Sequence, residues 1–497
     1  MTQLRKNVLA MAVLAVLAGG AGLYAWLGVM KGDEAEQKRK AESSKLVSLG
    51  DDSGSGSGAD AAGASARGFK RIALTARGER TVLERHDGEW RIVEPVVAPV
   101  DKVAVDGLVT QLLTGQIKEA LEEKPSPEDL RKYGLDQPRF EVTATVEVPG
   151  GTKELVLKGG VENTFDGSVY LLRGDDGKVY SAPGGLRWSL EKTTWDLRDK
   201  EVLAVPDAKL TRVEVKAPNH AYTLMRNAEK KAWRVTTPKD FTADAKEVTS
   251  LATSLKNQRA IAFHQDSAGE REKLRIDEPA AVATFTLESG EQIRLTLGQV
   301  EVDGTKKVYA LREDGHETAL AEVPSSALGA LDRDPMLLRD KSVLTFEKDQ
   351  VDQLVFKDAK GLEIAVQRVR NASGATTEDW KLVRPAQGPA KKFKLASILW
   401  MLGSLKAQTF GEENPKNWSK WGLDKPTREV LLLDKAARTI AHLRVGAEVP
   451  GKENVRYMRG TRDQVLEVDT ERLKDLPDAV DILLDRPAPA AEAGSNP

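Results

Sequence analysis

Five histidines are the first residues to try as general bases or metal ligands: His86, His220, His264, His316 and His442. A zinc or proton-transfer site needs such groups on one helix face or converging with carboxylates. No two of these histidines lie within metal-ligand spacing of each other, and no H-E-x-x-H run occurs. GAEVPGKE at 446–453 has the G-x-x-x-x-G-K spacing of a phosphate loop. Glu453 stands there in place of the Ser or Thr that would hold magnesium, and a strand-like run follows instead of a helix N-terminus. EVDGTK at 301–306 lacks the later ligands and closing Glu of a calcium loop. Neither a G-x-S-x-G elbow nor a dinucleotide fingerprint is present. With no cysteine, thiolate catalysis, zinc–thiolate sites and disulfides are excluded. The expectation is therefore no catalytic, cofactor-binding or metal-binding residue. Carboxylates are abundant enough for two to converge, but no spacing selects a pair.

What does recur is a set of scaffold residues. WRIVEP (90–95), WRVTTP (233–238) and WKLVRP (380–385) begin at Trp90, Trp233 and Trp380, which lie 143 and 147 residues apart. YGLDQP, LRIDEP and WGLDKP carry Asp136, Asp277 and Asp424 at the same period. Gly159, Gly298 and Gly446 each end a strand-like run and precede Tyr170, Tyr309 and Tyr457 by eleven positions. The chain is thus one unit used in triplicate, over 69–204, 208–345 and 350–487. Structural roles suit all these residues. The tryptophan is a core anchor, the glycine permits a strand-end turn with positive φ, and the tyrosine pairs back against the strand. Fold-determining residues recur in every copy, whereas an active site normally occupies one.

Each unit reads as α+β with mainly antiparallel strands: three strands, one or two helices, about four strands and a last helix. In the first copy FKRIALTARG and RTVLERHDG alternate apolar and polar residues, as half-buried strands do. Val105, Leu108 and Leu112 are spaced for one helix face, as are Val248, Leu251, Leu255 and Leu395, Ile398, Leu402. Asp101 and Asp244 are the expected N-caps. DLRDKEVL closes the first copy, LLRDKSVL (337–344) the second and the weaker DILLDRP the third. The Leu-Arg-Asp-Lys phrase suits a local ion pair at a domain junction.

The N-terminus sets the expected location. Val8 to Met30 contains 23 residues and no charge, and ~20 apolar residues cross a bilayer as a helix. Leu9, Val13, Leu14, Leu17, Leu23 and Leu27 would face lipid, with Tyr24 and Trp26 at the interface. Arg5 and Lys6 would keep residues 1–7 cytoplasmic. The run exceeds the ~7–15 residues of a signal-peptide core, so an uncleaved single-pass anchor at 8–30 is predicted. The large C-terminal part is then periplasmic. A flexible linker is predicted at 31–68, centred on GDDSGSGSGADAAGASARG, and a disordered tail at 488–497.

The anchor, the tryptophan and Gly-Leu-Asp phrases, the strand-end glycine with its later tyrosine, and Asp-Leu-Arg-Asp together resemble a family of uncharacterised bacterial envelope proteins, domain-of-unknown-function family 4340. The resemblance covers nearly all of 67–487. Copy two departs at Arg275-Ile276, and copy three at the closing phrase. The family brings no catalytic residues. It implies neighbours of the ABC-type export systems linked to gliding motility. The leading expectation is a non-catalytic, membrane-anchored periplasmic accessory or scaffold associated with an ABC-type transport complex. Its partners would be the inner membrane and envelope proteins such as transporter subunits. No small-molecule cofactor is expected, and the balance of 74 basic against 76 acidic residues argues against nucleic acid. The alternative is an envelope glycan- or peptide-binding array using Trp188, Trp195, Trp400, Trp418 and Trp421, although helical spacing points Trp400 toward the core. A carboxylate-based hydrolase is the third reading.

Overall fold

The computed structural model describes residues 44–47, 68–118, 120–148, 151–227, 232–315, 317–371 and 376–485. The anchor expected at 8–30, residues 1–7, most of the linker and the tail at 488–497 lie outside them, as does His316. Among the described residues no helix is long and apolar enough to cross a membrane.

The first copy contributes β1 (Phe69–Ala76), β2 (Glu79–His86), β3 (Glu89–Glu94), β4 (Ala98–Pro99), β5 (Ala120–Glu122), β6 (Phe140–Val148), β7 (Gly151–Glu162), β8 (Val169–Arg173) and β9 (Val179–Ala182). They form one nine-stranded sheet in the order β4-β3-β2-β1-β6-β7-β8-β9-β5. These neighbouring strands pair antiparallel, as short hairpin connections require. In β6 every second residue from Phe140 to Val146 is buried, which fixes the strand's register. β8 shows what each face does. Val169 and Leu171 enter the main core, while Tyr170 and Leu172 pack with Tyr133 and Leu135 on the other side.

The second copy contributes β10 (Leu210–Lys216), β11 (Ala221–Arg226), β12 (Trp233–Thr237), β13 (Phe241–Ala243), β14 (Ala262–His264), β15 (Ala281–Leu287), β16 (Gln292–Val302), β17 (Thr305–Glu313) and β18 (Thr318–Val323). Its two halves keep the same order, β13-β12-β11-β10 and β15-β16-β17-β18-β14. The third contributes β19 (Gln353–Asp358), β20 (Glu363–Arg370), β21 (Thr376–Arg384), β22 (Gly388–Ala390), β23 (Thr409–Glu413), β24 (Arg428–Leu433), β25 (Thr439–Glu448), β26 (Val455–Arg459) and β27 (Gln464–Asp469), again in that order. Nine strands replace the roughly seven expected, because β4 and β5 are too short to show alternation.

One long helix serves each copy: α1 (Lys102–Thr114), α2 (Ala245–Lys256) and α3 (Lys392–Ser404). The nine apolar positions named from spacing are all buried. The Asp101 carboxylate accepts the Ala104 N–H at 3.1 Å, capping α1. Trp400 does not enter the core. It is 60% exposed, because two residues from both Ile398 and Leu402 is the opposite helix face.

The glycines act differently from expectation. Gly159 and Gly298 lie inside strands without positive φ, and Gly446 does likewise. A Cβ on Gly298 would lie 2.0 Å from the Leu274 carbonyl, and one on Gly446 2.2 Å from that of Trp421. In copy one the matching contact, 2.1 Å from the Tyr133 carbonyl, belongs to Gly160, since a bulge shifts that register. The left-handed conformation belongs to the Gly-Leu-Asp phrase instead: Gly134 and Gly422 have φ of 66° and 65°, and Arg275 adopts 57° without being glycine.

Two compact units take the described residues within Met1–Lys209, Lys216–Pro218 and Ala252–Asp332, and within Leu210–Val215, Asn219–Leu251 and Arg333–Pro497. Inside both, a copy ends the same way. Arg198 pairs with Val100, Arg339 with Ala243 and Leu484 with Ala390 in isolated bridges. The chain then docks on the next copy. The Lys200 carbonyl accepts Ala260 N–H at 2.8 Å, and the Lys341 carbonyl accepts Ala407 N–H at 2.7 Å. Val202, Leu203, Val343 and Leu344 are buried beside these contacts. Ser44–Val47 repeats this on copy one. Its Ser44 carbonyl accepts Ile117 N–H at 2.7 Å, and Leu46 and Val47 are buried. Residues 44–47 are therefore packed core and not part of a loose linker, because Leu46 and Val47 find the groove that Val202 and Leu203 fill one copy later.

Candidate functional site

The junction arginine has different partners at the first and second junctions. At the first junction, the short helix Thr194–Leu197 delivers Arg198. Its cap is closed by Thr193 and Asp196, whose contacts are 2.9 Å, and Arg198 N–H donates to the Thr194 carbonyl at 2.9 Å. The guanidinium lies 3.5 Å from the centre of the Phe263 ring on β14, in cation–π range. Trp195 meets Phe263 edge-on at 5.7 Å, and Lys200 lies 4.7 Å over Trp195.

Arg198 opens onto a cleft of about 430 Å³ within the first unit. Val97, Pro99, Phe263 and Ala319 give it apolar walls. Its other cations are engaged. Arg91 pairs with Glu317. Arg312 pairs with Asp314 at 3.3 Å and donates to the Val202 and Ala204 carbonyls at 3.3 and 2.6 Å. Among the described residues, no hydrogen bond or ion pair reaches the Arg198 guanidinium. Burial pulls it down to about 10, with no acid to offset the loss of water.

Arg339 holds the same place at the second junction and has acceptors within the chain, both on one terminal nitrogen, while its Nε is buried without a partner among the described residues. It is 4% exposed, lies 3.8 Å over Phe410, and donates to Glu413 at 2.8 Å and Gln464 at 3.1 Å. Strand register explains the contrast. Phe263 pairs with Ala321 and Phe410 with Leu466, so Ala319 stands where copy three has Gln464. The position of Glu413, three after Phe410, is Asp266, which Arg271 already binds at 2.6 and 2.8 Å. That Arg271 contact holds the Asp266 carboxyl below its ordinary value. So the Leu-Arg-Asp phrases do mark junctions, but their arginines reach into the following copy and form no local ion pair.

The recurring tryptophans, aspartates, glycines and tyrosines, and the described histidines, do not line this cleft, whereas Arg198, Asp199 and Glu201 of the closing phrase do. Trp233 and Trp380 are buried, and Trp90 is half-buried against its core. Asp136, Asp277 and Asp424 are exposed, with Asp424 accepting the Ser419 hydroxyl at 2.8 Å. Tyr170 rests on Tyr133 at 4.7 Å, Tyr309 is buried against the His264 ring at 5.4 Å, and Tyr457 is half-buried. His86 meets Glu84 at 3.3 Å and His442 meets Glu429 at 2.7 Å. No group of three metal-ligating side chains occurs among the described residues. Of the five other tryptophans, Trp188 is 66% exposed beside Arg187, while Trp421 is buried. Phe263 and Phe410 were findable, since they are 147 residues apart like the second pair of tryptophans. Ala319 carried no signal of its own.

The family model described as Domain of unknown function (DUF4340) matches at residues 90–232, 233–378 and 380–486. Each match begins at a repeat tryptophan, so β10 and β11 of the second sheet fall in the first match. A comparison with curated proteins gives no match. Three matches over most of its length make this chain a member of the DUF4340 family.

Proposed function

We propose that the chain is a non-catalytic accessory or scaffold protein of the periplasm, held by residues 8–30 in the inner membrane and working beside an ABC-type transport complex. The observation that carries this reading is where the polar side chains go. The buried Glu191 is bound by Arg187 of its own turn and Arg77 after β1, the half-buried Arg173 by Asp175 and Asp176 of the turn after β8, and the buried Arg339 by Glu413 of the next copy. Glu191 illustrates it. Burial pushes its carboxyl up, but hydrogen bonds from Arg187 and Arg77 outweigh that and leave it below the ordinary value. Such pairing fits a framework better than proton transfer. Affinity purification of the tagged full chain from solubilised native membranes, followed by mass spectrometry, checks it. Recovery of permease and ATPase subunits with an intact N-terminus is expected. Recovery of no envelope or transporter protein would sink the proposal.

A binding array is the second reading, and the open cleft at Arg198 favours it. Under that reading the first junction differs in role from the second, whose arginine has acceptors within the chain.

A further inference from the structure

We propose that the cleft at the first junction binds a ligand carrying a single carboxylate on a small apolar body, with Arg198 holding the carboxylate. This goes beyond the accessory role and does not depend on it. Arg339 is the internal reference for what this arginine does when the protein supplies acceptors: one of its terminal nitrogens donates to the oxygens of Glu413 and Gln464. Arg198 keeps the backbone pairing and the aromatic bed but has lost both acceptors, to Ala319 and to an Asp266 held by Arg271. An acceptor from outside the chain completes it. Stacking on Phe263 uses the guanidinium's face and leaves its N–H edge, which matches a carboxylate in two parallel hydrogen bonds.

The lining sets the ligand's charge and size. Arg91 and Arg312 are neutralised by Glu317 and Asp314, and Glu201 by Lys256 and Arg259, while Asp199 lines the same space. A second negative charge on the ligand would meet Asp199, so a doubly charged phosphate is disfavoured. Val97, Pro99, Phe263 and Ala319 accept an apolar body, and about 430 Å³ is a small-molecule volume. A free acid and a peptide C-terminus offer the same chemistry.

Calorimetric titration of the full chain tests this with N-acetyl-leucine, the peptide acetyl-Ala-Ala-Leu with a free C-terminus, the amides of both, and inorganic phosphate. At least one free acid should bind, with its amide and phosphate weaker by about tenfold or more. Tighter binding of the peptide identifies a C-terminus as the source, and tighter binding of N-acetyl-leucine a small acid. Arg198→Met should weaken the acid about tenfold or more. Ala319→Gln should do the same without touching the arginine, by supplying the acceptor that Gln464 gives Arg339, and it covers the case in which Arg198→Met disturbs folding. Any of three results overturns the proposal: no free acid binding at millimolar concentration, amides or phosphate binding as tightly as the acids, or full affinity in both variants.

Discussion

Replacing each junction arginine by methionine should have unequal effects on stability. Methionine keeps most of the apolar stem and removes the charge. Arg339→Met loses hydrogen bonds to Glu413 at 2.8 Å and Gln464 at 3.1 Å, and the stack 3.8 Å over Phe410. Charge-assisted hydrogen bonds contribute about 1.5–3 kcal/mol, and a largely desolvated cation–π contact about 1–2 kcal/mol. Both bonds leave from one nitrogen, so they do not add fully, and a net loss of about 3–4 kcal/mol is expected. For a unit of this size that lowers the melting temperature by roughly 6–16 °C. Arg198→Met loses only the stack on Phe263 and relieves the burial of an unpaired charge, so its net effect should stay within about 1 kcal/mol. Scanning calorimetry of the full chain, with near-ultraviolet circular dichroism as a second probe, measures both. Equal destabilisation by the two substitutions would refute the contrast, and with it the view that Arg198 lacks an internal partner.

Four other outcomes are expected. Gly298→Ala should cost about 3 kcal/mol, because its Cβ would sit 2.0 Å from a backbone carbonyl; a melting curve unchanged within error would show that the approach is loose. Arg275→Gly should stabilise by about 0.5–1 kcal/mol, relief of the left-handed strain being partly offset by glycine's freedom when unfolded; denaturant titration would contradict this by showing a loss. Leu46→Ala should destabilise by about 2–4 kcal/mol, since Leu46 is fully buried against the first copy; a change below 1 kcal/mol would mean that Ser44–Val47 is not docked in solution. Burial lowers the His442 pKa below its ordinary 6.5 despite the Glu429 bond. Folding therefore disfavours its protonated form, so its contribution is complete above about pH 6.5 and is lost as pH falls through the folded pKa; His442→Gln should flatten that acid limb, and an identical pH profile in the variant would rule His442 out.

Long, periodic elements were readable because burial imposes period. The three helices could be placed from Val105, Val248 and Leu395 with their partners, and β6 from FEVTATVEV. β4 and β5, two and three residues long, were not, since pairing across the sheet and not local pattern defines them. Gly298 was visible as a recurring glycine, but its cause, a carbonyl arriving from the Leu274 turn, is a tertiary fact. SKLV at 44–47 did hold a legible signal. It echoes KEVL at 200–203 and KSVL at 341–344, and its place beside a Gly/Ser-rich stretch hid it. The cleft at Arg198 was illegible for a different reason. It arises from what Ala319 lacks, and an alanine becomes informative only once strand register sets it opposite Gln464 of the next copy.

The docking contact between copies is head-to-tail, and such contacts generate open filaments when both free ends stay competent. Here the leading groove of copy one already holds Ser44–Val47 of the same chain, and Ala120 stands where Phe263 and Phe410 receive an arginine. At the trailing end Leu484 replaces the arginine that would reach forward. Among the described residues, a second chain would have to displace Ser44–Val47 to enter the leading groove and would meet no aromatic bed there. The chain's own Ser44–Val47 thus acts as a built-in plug that competes with end-to-end growth at the leading copy.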